Sequence, residues 1–209
     1  MAIASSSLFN MTVASDNAGG NQGLLMPKLQ YRFRALFLNF GTGGSTQELT
    51  KQVIDIARPS VSFTEIPIDI YNSKIYLAGK HEWTTTTINM RDDAGGNVSK
   101  LVGQQIQKQM DFVEQASAAT AQDYKFEINY EVLDGGNGLA TPTVLEKWEL
   151  YGCFIQTVNY NNMNYSSNEM ATISLTVRYD NAIQSPLTSG IGTSVGRAFG
   201  GTAVTGIGS

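Results

Sequence analysis

The chain has 209 residues, of which 42% are apolar and only 15% charged, with a formal net charge of −4. That length suits one domain with extensions, and a chain this apolar is not kept unfolded by its own charge. The acidic balance argues against gripping nucleic acid through a basic surface, and the single Cys153 and single His81 exclude an internal disulfide, a cysteine-rich zinc site and any site that needs two histidines.

No run of about 20 apolar residues occurs, so no membrane-spanning helix is expected. Residues 1–27 lack the basic start and apolar stretch of a secretory signal. Charge divides the chain into three. Residues 1–27 carry Asp16 alone, and residues 182–209 carry Arg197 alone together with seven of the 21 glycines. Both ends read as arms, because small residues bury little apolar area against the entropy of ordering a backbone. The middle, 28–181, holds the remaining charge and is large enough for one ordinary core.

Along the middle, Tyr31, Phe33, Ala35 and Phe37 alternate with Gln30, Arg32 and Arg34, which is strand period over 30–38. The glycines of 39–45 mark a loop. A short strand is expected at 53–57. Residues 61–70 alternate weakly, and Pro67 within them points to an edge or a break. Residues 72–79 read as a turn-rich connector. The threonine-rich 81–90 suits a strand, because β-branched side chains fit a pleated surface.

One helix is expected over about 97–117, with Asn97 as its N-cap. Val98, Val102, Ile106, Met110 and Val113 form its apolar stripe. Two clean alternating strands follow at 124–133 and 169–180. Between them, 147–158 is apolar on both faces and is expected to be central. The sum is a mainly β, antiparallel sandwich or barrel-like domain with one flanking helix.

Chemical constellations are lacking. His81 lies in a strand beside Glu82 and Trp83, and Cys153 lies in the most apolar strand, where a buried thiol is inert packing. Asp92-Asp93 and Asp134 to Gly138 lack the acid pattern of a calcium loop and read as turns. Gly41, Gly43 and Gly44 open no phosphate-binding helix. The asparagine triplets at Asn10, Asn97 and Asn164 are chance matches to a glycosylation signal. Glu127, Glu131, Glu146 and Glu149 fit solvated strand faces better than a paired-acid site. No catalytic residue, cofactor or metal ligand is expected.

The order of features has a resemblance, carried by Ile75-Tyr76-Leu77-Ala78-Gly79 after Pro67-Ile68-Asp69, by the strand Glu82 to Met90, by the helix, by the aromatic strand Lys147 to Phe154 and by the closing Val177-Arg178-Tyr179-Asp180. Over residues 28–181 this resembles the tail tube proteins of contractile-tailed bacteriophages, whose fold is shared with contractile bacteriocin and type VI secretion tubes. The resemblance implies a β-sandwich with one helix on its flank. Six copies would close into a ring, one sheet of each joining a continuous inner barrel. Rings would stack into a hollow tube inside a sheath, with phage DNA passing through. Its partners would be further copies, the sheath, the baseplate and the tail terminator, in a virion assembled in the host cytoplasm.

The candidate lumen-facing residues are the polar faces Lys125, Glu127, Asn129 and Glu131, and Thr172, Ser174, Thr176 and Arg178. The candidate ring-stacking residues are Asn39, Gly41, Gly43, Gly44, Glu48 and Lys51, with the two arms. Net negative charge would repel phosphate and let DNA slide. The alternatives are a tube initiator or terminator of the same tail, which would stop at one ring, and a monomeric ligand-binding β-sandwich, which would have no reason to carry uncharged arms.

Overall fold

A computed structural model describes residues 28–43, 46–135, 142–185 and 191–193, and the backbone alone of 197–199 and 202–204. The N-terminal arm, Gly44, the side chain of Glu48, residues 136–138 of the turn after Asp134 and most of the C-terminal arm lie outside the described residues. Two compact units are distinguished, Met1–Arg32 and Phe33–Ser209. In the described part of the first, the Arg32 amide donates to the Leu29 carbonyl at 3.2 Å.

The second unit runs β1 (Phe33–Leu38), α1 (Gln47–Gln52), β2 (Val53–Ile56), β3 (Val61–Ile70), β4 (Ser73–Trp83), β5 (Thr86–Arg91), α2 (Asn97–Gln109), β6 (Met110–Asp111), β7 (Ala116–Ser117), α3 (Ala121–Tyr124), β8 (Phe126–Leu133), β9 (Val144–Tyr160), β10 (Thr172–Arg178), β11 (Asn181–Ser185), β12 (Arg197–Phe199) and β13 (Thr202–Val204). It is mainly β, and every strand pairing is antiparallel.

The central strand is β9. Its first half pairs with β8 and β11, its second half with β10, and the hydrogen-bonded order reads β1-β8-β9-β10-β5-β2. The two halves meet at Gly152, which has φ +66. A Cβ there would stand 2.2 Å from Asp180 Oδ2, so only glycine lets one strand leave a sheet and enter the next at this point. The first sheet, β1-β8-β9-β11, turns Ala35, Phe37, Ile128, Tyr130, Trp148 and Leu150 inward. The second, β9-β10-β5-β2, turns Ile155, Ile173, Leu175, Val177, Ile88 and Met90 inward. All are buried in one cluster, as the alternation of side chains across a pleat requires.

Helix α2 contributes Val98, Leu101 and Val102 to that cluster. Ile106 packs against it partly buried. The helix ends at Gln109, so Met110 and Val113 of the expected stripe fall beyond it. They are 39% and 91% exposed. The chain turns back there into β6 and β7, where the Asp111 carboxylate accepts the Val113 and Glu114 amides at 2.8 and 3.3 Å. The first turn also differs from expectation. Gly96 is the N-cap, in left-handed geometry, and Asp93 accepts the Val98 amide at 3.1 Å in the capping role. Asn97 instead donates its side-chain amide to Asp93 at 2.7 Å.

The buried face of α2 includes Gln105, whose Oε1 accepts the Gly41 amide at 2.9 Å and whose amide donates to the Tyr124 carbonyl at 2.6 Å. A fully buried amide is tolerable only with such partners. Tyr124 belongs to the short α3, not to the strand after it. At the far end, β11 carries sheet pairing past residue 181.

Candidate assembly surface

The residues expected as a weak strand and a connector form one long ribbon. β3 and β4 pair from Val61↔Trp83 to Ile70↔Ser73, with a bulge where Phe63↔His81 gives way to Glu65↔Ala78. Gly79 at this bulge approaches Thr64 so closely that a Cβ would stand 2.5 Å from its hydroxyl. The ribbon continues β2 and β5 across residues 57–60 and 84–85, where the Thr84 amide donates to the Ser60 carbonyl at 3.0 Å and the Ala57 amide to the Thr87 carbonyl at 2.9 Å. At about 3.3 Å per residue, β3 alone reaches about 33 Å.

Only the base of this ribbon is in the core, through Trp83 and partly buried Val61. Beyond the bulge, the pairs Ile66↔Leu77 and Ile68↔Ile75 put four aliphatic side chains, with Ile70 beside them, on one face. All five are exposed, Ile66 and Leu77 at 49% each. The opposite face carries Glu65, Asp69, Lys74 and Tyr76, with Lys74 and Asp69 paired at 3.2 Å. At the tip, Tyr71 has φ +46 and is 99% exposed. A bulky aromatic in left-handed geometry is costly, and here it holds a large ring out in solvent.

A free two-stranded ribbon is marginal in water, and an exposed flat apolar strand pair templates association. Completing the burial of five half-covered aliphatic side chains is worth roughly half of about 1.5–3 kcal/mol each. The ribbon is therefore built to be covered. Pro67 fits here because each strand of a two-stranded ribbon is an edge and one side needs no amide. The signal was present in the sequence: two alternating runs around Tyr71-Asn72, a two-residue loop.

The ring-stacking candidates lie on the loop after β1 and on α1. Gly41 is buried under α2 and Asn39 is exposed, and Lys108 donates to the Asn39 and Gly41 carbonyls at 3.3 and 3.0 Å. Gly43 and Lys51 are exposed. The lumen candidates divide between the two sheets. Glu127, Asn129 and Glu131 lie on the outward face of the first, where Glu131 is nearly buried and accepts Arg34 Nε at 2.9 Å. Lys125 precedes that strand and pairs with Asp180. Thr172, Ser174, Thr176 and Arg178 lie on the outward face of the second sheet, where Arg178 pairs with Glu82 at 2.7 Å.

His81 packs beside Phe63 on the ribbon. Cys153 is buried, and burial pushes its thiol up to about 12. Among the described residues no group of three metal-ligating side chains occurs, and no helix is long and apolar enough to cross a membrane. A cleft of about 480 Å³ is lined by Lys108 and Lys125 against Asp123 and Glu127, a balanced polar lining unlike the apolar walls of small-molecule sites.

No family model matches the chain, and no curated protein matches it in sequence. Solved structures do match. A chain of the tube-terminating cap of the anti-feeding prophage is 14% identical with a TM-score of 0.57, covering 78% of this chain and 94% of that one. A chain of the sheath/tube terminator of the extracellular contractile injection system PVC, in its extended state, is 15% identical with a TM-score of 0.56, covering 78% and 99%. A chain of the PVC sheath–tube complex is 14% identical with a TM-score of 0.56, covering 78% and 95%. The fold of this chain is the one these components of contractile injection particles share.

Proposed function

We propose that this chain is a structural subunit that assembles with copies of itself into the tube of a contractile tail. In this reading six copies close into a ring, rings stack through the β3–β4 ribbon, and a sheath surrounds the tube between baseplate and terminator. The phage setting, with DNA as the passing cargo in a virion built in the host cytoplasm, belongs to the same proposal. The observation that carries it is the apolar ribbon, an element with no core of its own on a fold found in contractile particles. Assembly follows from geometry: heterologous contacts that close make a ring, and those that do not close stack it.

The test is negative-stain electron microscopy of the purified protein across concentration, with sedimentation velocity alongside. Hollow filaments of uniform width are expected, and the double variant Ile68→Glu, Leu77→Lys is expected to stop short of them while keeping its folded circular dichroism. A wild-type protein that stays monomeric at every concentration, even with sheath-free baseplates as nuclei, would overturn the reading. Single rings that never grow would instead assign it to a terminator or initiator.

A further inference from the structure

Resting on the tube reading, we infer that the bore is lined by the outward face of the sheet β9-β10-β5-β2, and that the centre of this wall is made of hydroxyl and amide side chains. The inward faces of the two sheets share one core, so their outward faces look away from it on different sides. They cannot both line one channel, and three observations choose between them.

The first is the edges. A sheet joins a ring barrel only through two open edges. The sheet β1-β8-β9-β11 is closed on one side. The Gln184 amide of β11 donates outward to the Ile191 carbonyl at 2.9 Å, and Gly192 stands so close that a Cβ would be 2.4 Å from Ile183 Cγ2. The other sheet ends on β2 and on the second half of β9. There, among the described residues, the backbone is met from outside by the Gln109 amide at Ile155, through two bonds of 3.0 Å.

The second is direction. The ribbon that would reach the next ring is the continuation of β2 and β5. The strands of this sheet therefore already run from ring to ring.

The third is chemistry. Across this face run the rows Thr157↔Thr176↔Thr87 and Asn159↔Ser174↔Asn89. In the second row, polar atoms are bonded across strands. Ser174 Oγ is bonded to Asn89 Oδ1 at 2.6 Å, and Asn89 donates to Asp55 at 2.9 Å. Groups already bonded across strands offer little to a passing molecule. The face of the other sheet carries Arg34, Glu131, Lys147 and Glu149 in ion pairs. The wall would thus carry threonine, serine and asparagine at its centre, Asp55 on β2 and Arg91 and Arg178 at the ends of β5 and β10, with the acids Glu127 and Glu131 outside the bore.

The experiment uses Ser174→Cys, Thr176→Cys and, on the other sheet, Asn129→Cys, each in filaments of the full chain. Native Cys153 stays silent because it is buried. Each variant is treated with a small maleimide and with a maleimide on a polyethylene glycol chain too bulky for the bore, before and after assembly. On assembly, Ser174→Cys and Thr176→Cys are expected to lose reaction with the bulky reagent and keep it with the small one. Reaction with the bulky reagent in intact filaments, or with neither, would overturn the assignment while the filaments themselves uphold the tube. Failure of the wild-type chain to form filaments would overturn both.

Discussion

At residue scale, Gly152 and Cys153 sit side by side and do opposite things. Gly152 turns the central strand between two sheets, and its missing side chain leaves room for the Asp180 carboxylate, which Lys125 then pairs. Gly152→Ala is expected to destabilise the fold by about 1–3 kcal/mol, since a non-glycine residue in left-handed geometry is strained and here meets a carboxylate as well. The urea midpoint checks this, and an unchanged midpoint would show that the strand bends elsewhere. Cys153 fills the core one residue on, and its raised thiol keeps it unreactive at neutral pH. Neighbouring Glu149 is held below the usual carboxylate range by Lys147, then by the Tyr151 hydroxyl that donates to it at 2.6 Å. That bond in turn pushes Tyr151 up to about 12.

At element scale, α2 depends on its cap. The Asp93 carboxyl is lowered from its ordinary 3.8, mainly by the Val98 amide. A carboxyl with a depressed folded value contributes stability above its unfolded value and loses it as pH falls through the folded one. Asp93→Asn keeps an acceptor but removes the charge. Its thermal midpoint is therefore expected to lie below wild type at pH 7 and to converge with it as the pH drops below about 4. A constant gap down to acid pH would count against a charge-dependent cap. The ribbon makes the opposite prediction. Tyr71→Gly relieves left-handed strain at the tip, so folding stability is expected to hold or rise while filament formation weakens. A urea midpoint and electron microscopy on the same preparation separate the two effects.

At the scale of the whole molecule, the ribbon extends an apolar face that the core does not cover. If that face drives stacking, assembly is an apolar process. Salt at about 1 M, where the screening length is only about 3 Å, is expected to leave filaments intact, and sulfate is expected to favour them because it strengthens apolar burial. Filaments that dissolve in such salt would point to ionic contacts, such as those of Arg34 or Lys51, as the main bond between copies. Sedimentation across a salt series gives the answer.

The sequence by itself determined the mainly β antiparallel class, the central strand around Tyr151 to Ile155 and the inward faces of β8 and β10, because alternation with period two is a local property of each strand. It also determined where α2 begins to bury Val98 and Val102, because helical spacing is equally local. Three things were decided by tertiary structure. The helix stops at Gln109, where that side chain bonds the edge of β9 at Ile155. Residues 73–79 of the expected connector are strand because Ile66, Pro67 and Ile68 pair with them across a turn, and weak alternation in one strand is settled by its partner. The two polar faces that look alike in sequence belong to different sheets, because Gly152 bends the one strand they share. Pattern states which side chains share a face, and only the packing of sheets about a common core states where that face looks.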